Sequence, residues 1–414
     1  MAMEDIRIYG HGIKGTPVLD RWNSRPFKEL ACLFIEDNRQ SENVKYLLEN
    51  YLEQVIQGIS ICMKELKLEK VRIYLSAYYR GFLKELEQHG MEVAVVEDKK
   101  LSEKDVFRED TLVHHAETML ALSRSFSEKN YIPKKIVSIT GDVKNPGVYE
   151  VPFGITLREM IEEYGNGSNS QKAIKFVQVG GNTGTVFTDE ELDTAFIYSN
   201  LMGSGTMLET AKIDVYNIET CMVGWAYKKM LVNSKETCGK CVYCREGIYQ
   251  LYRIMKDATE GKGKDGDMEL ADELCETIKA GTLCDFGKSA PNPLHTAMIK
   301  FKDEFEKHIE RKICNTLSCI SYADYFIDPT VCNGCGACMG CHQNAVRGGE
   351  HFIHVIDTDL CDKCGECETV CSIRAVKRYG TIKPLLPSEP IAVGSFQEGG
   401  PGVKKGLGRK RRKL

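Results

Sequence analysis

Residues 332–346, CNGCGACMGCHQNAV, and residues 361–376, CDKCGECETVCSIRAV, are two copies of one pattern. Cys332, Cys335, Cys338 and Cys341 form the first group, and Cys361, Cys364, Cys367 and Cys371 the second. The second group has C-x2-C-x2-C-x3-C spacing. A [4Fe–4S] cluster takes four thiolates, and three can come from one tight loop whose turns aim each sulfur inward. A zinc ribbon would need only paired C-x2-C knuckles and no third cysteine in each group. CHQNAV at 341 echoes CSIRAV at 371, so the repeat continues past the fourth cysteine. The first group is one residue shorter before that cysteine, which puts His342 in the usual position, and neither group carries the usual following proline. The aligned Ala-Val after each fourth cysteine keeps Cys341 as the ligand.

In two-cluster ferredoxins the fourth ligand comes from the other half of the repeat. The pattern therefore predicts Cys332, Cys335, Cys338 and Cys371 around one [4Fe–4S] cluster. Cys361, Cys364, Cys367 and Cys341 would hold the other.

A third constellation lies upstream. In ETCGKCVYCREG, Cys238, Cys241 and Cys244 repeat the C-x2-C-x2-C spacing just before a helical stretch. A helix start offers backbone N–H groups to an anionic cluster. The fourth ligand is Cys275 or Cys284, and spacing alone does not choose.

These motifs carry a family resemblance. ETCGKCVYCREG with TLCDFGKSAPNP resembles the helical cluster domain of the NADH-binding flavoprotein subunit of respiratory complex I, and of the matching subunit of soluble NAD-linked and electron-bifurcating [FeFe] hydrogenases. ITGDVKNPGVYEVPFGITLREMI resembles that family's SLBB β-grasp domain. The hydrogenase-type subunits also append a two-cluster ferredoxin domain. The resemblance implies Cys284 as the fourth ligand of the helical-domain cluster, with Cys275 a core thiol. It also implies a structural zinc site formed by Cys221, His308, Cys314 and Cys319. Four N/S ligands with no open position suit closed tetrahedral zinc.

The resemblance fails at the family's FMN and NAD(H) pocket. Only GHGIKG at 10–15 stands where a longer glycine-rich loop belongs, and a lone motif of this kind is weak evidence. LFIEDNRQSEN at 33–43 lacks the family's glycine and second acidic pair there, and HHAET at 114–118 replaces both asparagines of the matching segment. The expectation is a shortened flavin-domain-like remnant without FMN or NAD(H). Adjacent His114 and His115 on an extended segment point opposite ways and do not share a metal.

The expected fold is multidomain α/β plus α. Its parts are a flavin-domain-like α/β region at 1–125, an SLBB β-grasp domain at 134–220, a helical [4Fe–4S] domain at 221–320, a two-cluster ferredoxin-like domain at 321–380, and a linker with basic tail at 381–414. Apolar spacing predicts a helix over 44–66, a buried strand over 71–79, a helix ended by Gly90, and a hairpin turning at Asn145-Pro146-Gly147. Thr156 and Glu159 have capping-box spacing before a short helix.

The bulk properties agree. The chain has 414 residues and 18 cysteines, of which only Cys32 and Cys62 precede residue 220. No run reaches the ~18 apolar residues of a membrane span, and the start does not read as a secretory signal. Cysteines crowded in a long chain without a signal read as metal ligands in a reducing, cytoplasmic compartment rather than disulfides. The last eleven residues hold seven Lys or Arg, and removing these takes the formal charge from −4 to −11. An acidic body without a recognition fold argues against nucleic acid.

The expected role is an electron-relay subunit without a catalytic residue, passing single electrons through three [4Fe–4S] clusters. Its expected partners are a thioredoxin-like [2Fe–2S] subunit, a flavin- or metal-containing catalytic subunit, or ferredoxin. The alternative is an FMN-containing subunit that oxidises NAD(P)H itself.

Overall fold

The structure, a computed structural model, describes residues 17–36, 41–96, 109–169, 172–203, 211–397 and 403–404. The GHGIKG motif, residues 37–40 of the 33–43 segment, and the basic tail after 404 lie outside the described residues. Two compact units are formed. The first takes the described residues of Met1–Glu219 with Lys228–Tyr252 and Ala271–Lys300, and the second Thr220–Tyr227, Arg253–Leu270 and those of Phe301–Leu414.

The first unit opens with helix α1 (Val18–Asn23), followed by strand β1 (Glu29–Phe34), helix α2 (Asn43–Glu65), strand β2 (Lys70–Ser76), helix α3 (Leu83–Gln88), strand β3 (Glu92–Val96), strand β4 (Thr111–His115) and helix α4 (Ala116–Ser127). The strands make a parallel sheet in the order β3-β2-β1-β4. Continuous apolar runs such as LACLF form such strands because helices cover the sheet. α2 lies close along α4, and only a glycine fits at position 58, where a Cβ would sit 1.9 Å from the Met119 carbonyl oxygen. The strand expected over 71–79 stops at Ser76, whose hydroxyl accepts from the Tyr78 amide and starts a 3₁₀ turn. Gly90, at φ +74°, follows α3 as expected.

Strands β5 (Lys134–Gly141) and β6 (Gly147–Pro152) form the hairpin read at Asn145-Pro146-Gly147. Helix α5 (Leu157–Glu163) follows, with Thr156 and Glu159 making the reciprocal capping box. Strands β7 (Ile174–Val179) and β8 (Thr185–Thr188), helix α6 (Tyr198–Gly203) and strand β9 (Lys212–Asn217) complete a five-stranded sheet in the order β6-β5-β9-β7-β8. Its first and last strands in the chain are parallel neighbours, with Ile139 opposite Ile213. Val137, Ile139, Leu157, Met160, Val177, Phe187 and Val215 fill its core. A buried Glu117–Lys135 ion pair ties α4 to β5, and Glu117 also accepts the Ile136 amide at 2.6 Å.

Helices α7 (Met222–Glu236), α8 (Val242–Thr259), α9 (Asp267–Gly281), α10 (Asp285–Ser289), α11 (Asn292–Lys300) and α12 (Lys302–Ile309) follow. The stretch HTAMIKFKDEFEKHIERK is two helices, because Phe301 leaves helical geometry at φ −124°, ψ 35°. No helix of the described residues is long and apolar enough to cross a membrane.

The second unit ends in the cysteine repeat. Strand β10 (Asp324–Ile327) pairs with β14 (Val376–Tyr379), and between them lie β11 (Val346–Arg347), β12 (Phe352–Ile353), β13 (Val355–Ile356) and helix α13 (Glu366–Val370). β11 pairs with β13, and β12 with a short strand at Ile391–Ala392.

Candidate metal centres

In the first unit, Cys241 immediately precedes α8 and Cys244 lies in its first turn. Arg245 donates to the Gly239 carbonyl at 2.9 Å, closing the loop between Cys238 and Cys241. Cys284 caps α10, its sulfur accepting from the Gly287 amide at 3.4 Å. The segment before Cys284 packs on the start of α8: a Cβ at Gly281 would lie 2.5 Å from the Tyr243 ring, and one at Gly247 2.6 Å from Ile278. Cys275 is fully buried on α9, and burial pushes its thiol up to about 12. That environment suits a core thiol.

The C-terminal repeat extends to the backbone. Positive φ recurs at Gly334 and Lys363, at Gly336 and Gly365, and at Asn344 and Arg374. The Asn333 and Asp362 side chains each accept from the amide two residues on, at 3.2 Å. The halves also exchange backbone bonds: the Asp328 amide donates to the Ala375 carbonyl and the Asp357 amide to the Ala345 carbonyl, each at 2.7 Å. Strand pairing has the same crossing. β10, which leads into the Cys332 loop, pairs with β14, which follows Cys371, while β13, leading into the Cys361 loop, pairs with β11, which follows Cys341.

Electrostatics follows this topology. Burial pushes the Cys338 thiol up to about 11, and charge on Cys332, Cys335 and Cys371 pushes the same way. Burial raises Cys361, with Asp362, Cys341 and Cys364 adding to it. Cys367 is raised to about 11, first by burial and then by Cys361, and also by Cys338 and Cys364. Thiols gathered this way resist ionising together, and a cationic core is what would let them. The donor set therefore fits iron–sulfur clusters.

The missing residue of the first half is absorbed by a change of turn. Cys338 lies in a 3₁₀ turn at Ala337–Gly340 that ends at Cys341, three residues on, whereas Cys367 lies in the α-helical turn of α13, which ends at Cys371, four residues on. A 3₁₀ helix has three residues per turn, so Cys341 keeps its place in the repeat. His342 is exposed and bonds to Asp362 at 2.8 Å and Glu366 at 3.3 Å. Sequence reasoning misses His354, whose Nδ1 lies 3.5 Å from the Cys338 sulfur. No motif marks it.

Cys221, His308, Cys314 and Cys319 come together in the second unit, all buried, with their ligand atoms within 4.8 Å of one another. Cys221 Sγ lies 3.6 Å from Cys319 Sγ and 3.5 Å from His308 Nε2, and His308 Nε2 lies 3.3 Å from Cys319 Sγ. A tetrahedral zinc ion has ligand–ligand edges of about 3.3–3.8 Å. The Gly224 amide donates to Cys221 Sγ at 3.3 Å. Tyr322 packs edge-on to His308 and donates to the His308 carbonyl at 3.1 Å. Burial opposes charge on His308, but Cys221 and Cys314 outweigh it and raise the imidazole to about 9. Contacts with Cys221 and Cys319 hold Cys314 below the ordinary thiol value, while contacts with Cys221 and Cys314 push Cys319 above it. A shared cation would relieve this competition.

In the parallel sheet the strand order reverses between β1 and β4, where open α/β folds bind ligands beyond the strand ends. Glu36, just after β1, turns its carboxylate onto the α2 start, accepting from the Val44 amide at 2.5 Å, Ser41 at 2.7 Å and Tyr79 at 3.2 Å. His115 bonds to the Ile35 carbonyl at 3.3 Å and accepts from the Glu117 amide. His114 accepts from the Trp22 indole at 3.0 Å, and burial, aided by Arg21, lowers it to about 3.

The fold and its cysteine sites define an iron–sulfur electron-transfer protein with an SLBB domain. Residues 136–185 match the SLBB domain, and residues 225–308 match the NADH-ubiquinone oxidoreductase-F iron-sulfur binding region. The chain is 37% identical over 221 residues to the NADP-reducing hydrogenase protein HndC of Solidesulfovibrio fructosivorans, covering 53% of this chain and 45% of that one. It is 25% identical over 373 residues to the NADH-quinone oxidoreductase F 2 protein of Rhizobium meliloti (strain 1021), covering 75% and 89%. The aligned part spans less than half of HndC. A solved NAD+-reducing [NiFe]-hydrogenase in the H2-reduced state shares the fold over 75% of this chain and 62% of its own, with TM-score 0.64 and 20% identity. The chain is thus a homologue of HndC and of the F-type components of NADH-quinone oxidoreductase, as its motifs imply.

Proposed function

We propose that this chain is an electron-relay subunit of a multi-subunit oxidoreductase, holding three [4Fe–4S] clusters and no FMN or NAD(H) site of its own. The crossed pairing of the two C-terminal cysteine loops carries the reading. On it, Cys332, Cys335, Cys338 and Cys371 surround one cluster, and Cys361, Cys364, Cys367 and Cys341 its twin. Cys238, Cys241, Cys244 and Cys284 hold the third. Bound there, the clusters supply one-electron chemistry, while the chain fixes their ligands, burial and hydrogen bonds. Residues 321–380 are then a two-cluster ferredoxin-like domain and 221–320 the helical cluster domain. Cys221, His308, Cys314 and Cys319 hold a structural zinc ion.

The loss of the flavin site is supported at the α2 start, where a phosphate would be welcomed by free amides. There the Glu36 carboxylate takes the Val44 amide instead. Partners follow from the relatives, which are components of NADH-quinone oxidoreductase or hydrogenase assemblies. A thioredoxin-like [2Fe–2S] subunit, a flavin- or metal-containing catalytic subunit, or ferredoxin would complete the chain of carriers in the cytoplasm.

The relatives' names favour a second reading, an FMN-containing subunit that oxidises NAD(P)H. Anaerobic purification with iron, zinc and acid-released flavin assays, followed by NADH addition, separates the two. The relay predicts about twelve irons, one zinc, no flavin and no bleaching by NADH. Stoichiometric FMN with NADH-dependent bleaching overturns it.

A further inference from the structure

The two halves of the C-terminal repeat part company at one buried position. Counting back seven residues from the first cysteine of each loop gives Tyr325 in one half and His354 in the other. Tyr325 donates its hydroxyl to Glu368 at 3.3 Å, and charge on Cys367 acts on it. His354 instead faces a sulfur, with Nδ1 3.5 Å from Cys338 Sγ. A ligand thiolate has no proton, so the imidazole N–H is the donor in this contact.

Two further observations show a seat built for the ring. A Cβ on Gly348 would lie 1.9 Å from His354 Cδ2, so only glycine leaves room. His354 Nε2 is buried with no hydrogen-bond partner, an arrangement that needs an explanation. Nδ1 faces the Cys338 sulfur, and the Gly349 backbone also acts on the imidazole. Backbone amides reach sulfurs of both ligand sets, from Ala375 to Cys371 in one and from Lys363 to Cys361 in the other. The side-chain donor is what sets the halves apart.

We propose that His354 is a positioning residue whose N–H···S bond to Cys338 raises the reduction potential of the cluster held by Cys332, Cys335, Cys338 and Cys371. The proposal rests on the cluster reading above. Reduction places more negative charge on the cluster and its sulfurs, and a donor aimed at one sulfur favours the reduced form. The loop around the twin is also more acidic: Asp362, Glu366 and Glu368 stand where the first loop has Asn333, Ala337 and Met339. Asp362 and Glu366 are paired with His342, and Glu368 with Arg378, which limits the effect of these acids, so the His354 donor carries the difference between the halves.

The test is an anaerobic potentiometric titration of the full chain followed by EPR, with iron measured on every sample. His354→Phe keeps a ring and removes the donor. It is expected to shift one midpoint to more negative values and leave the others in place, at unchanged iron. His354→Asn, which restores an N–H near the Nδ1 position, is expected to recover most of the shift. Gly348→Ala, which displaces the ring without altering it, is expected to move the same midpoint in the same direction as His354→Phe. Unchanged midpoints in both His354→Phe and Gly348→Ala at full iron overturn the role of His354 while leaving the cluster reading intact. A wild-type chain reconstituted to far fewer than about twelve irons overturns the cluster reading, and this proposal with it.

Discussion

The parallel sheet and the cysteine repeat treat their reactive groups in opposite ways. At the sheet's switch point Glu36 and His115 are bonded to the chain's own amides, hydroxyls and carbonyl. In the repeat, Cys338, Cys361 and Cys367 sit among other thiols that raise them further. A group satisfied from within leaves little for a ligand to gain. Groups that oppose one another leave a ligand everything to gain. The contrast supports the proposed reading of the N-terminal region as scaffold and of the cysteine loops as cofactor sites.

The contrast can be broken most sharply at the repeat. Cys361→Ser is expected to remove one whole cluster, lowering iron from about twelve to about eight per chain. Iron at the wild-type level would mean that the Cys361 sulfur is not needed to hold a cluster. Cys314→Ala is the next largest effect: zinc per chain should fall to near zero while iron stays constant, with a lower midpoint of thermal unfolding. Equal zinc in the variant sinks that site. In the scaffold, Glu117→Gln leaves Lys135 buried without its countercharge, and urea unfolding should show a loss of about 3–5 kcal/mol with cluster spectra unchanged. Thr156→Ala removes the capping box of α5 and should cost about 1 kcal/mol, again without change in iron. A scaffold variant that strips iron would blur the distinction between the two regions.

Much of this is legible in the sequence because the signals are local. Three-cysteine loops, the Thr156–Glu159 box, the turn at Asn145-Pro146-Gly147 and the stop at Gly90 each concern residues a few positions apart. Apolar spacing carries β2 past its true end at Ser76, because a side-chain turn stops the strand inside an apolar run. The break at Phe301 is likewise hidden within continuous helical spacing. In the sequence the partnership of Cys371 with the Cys332 loop rests on analogy alone, and the long-range pairing of β10 with β14 is what lends it a physical basis. How the shorter first half keeps Cys341 in place needs the 3₁₀ turn at Ala337–Gly340. His354 cannot be found from spacing at all, because its partner sulfur and the gap at Gly348 meet only in three dimensions.

The crossed strands also bear on synthesis. β11 and β13 pair inside the loop that β10 and β14 close, so the repeat is nested rather than serial. As the chain leaves the ribosome, β10 emerges long before its partner at Val376–Tyr379. A nascent chain halted before Val376 holds all eight cysteines of the repeat without its outer strand pair. On the proposed ligand sets, maturation machinery that delivers iron and sulfide would therefore meet both sites at nearly the same moment, rather than one after the other.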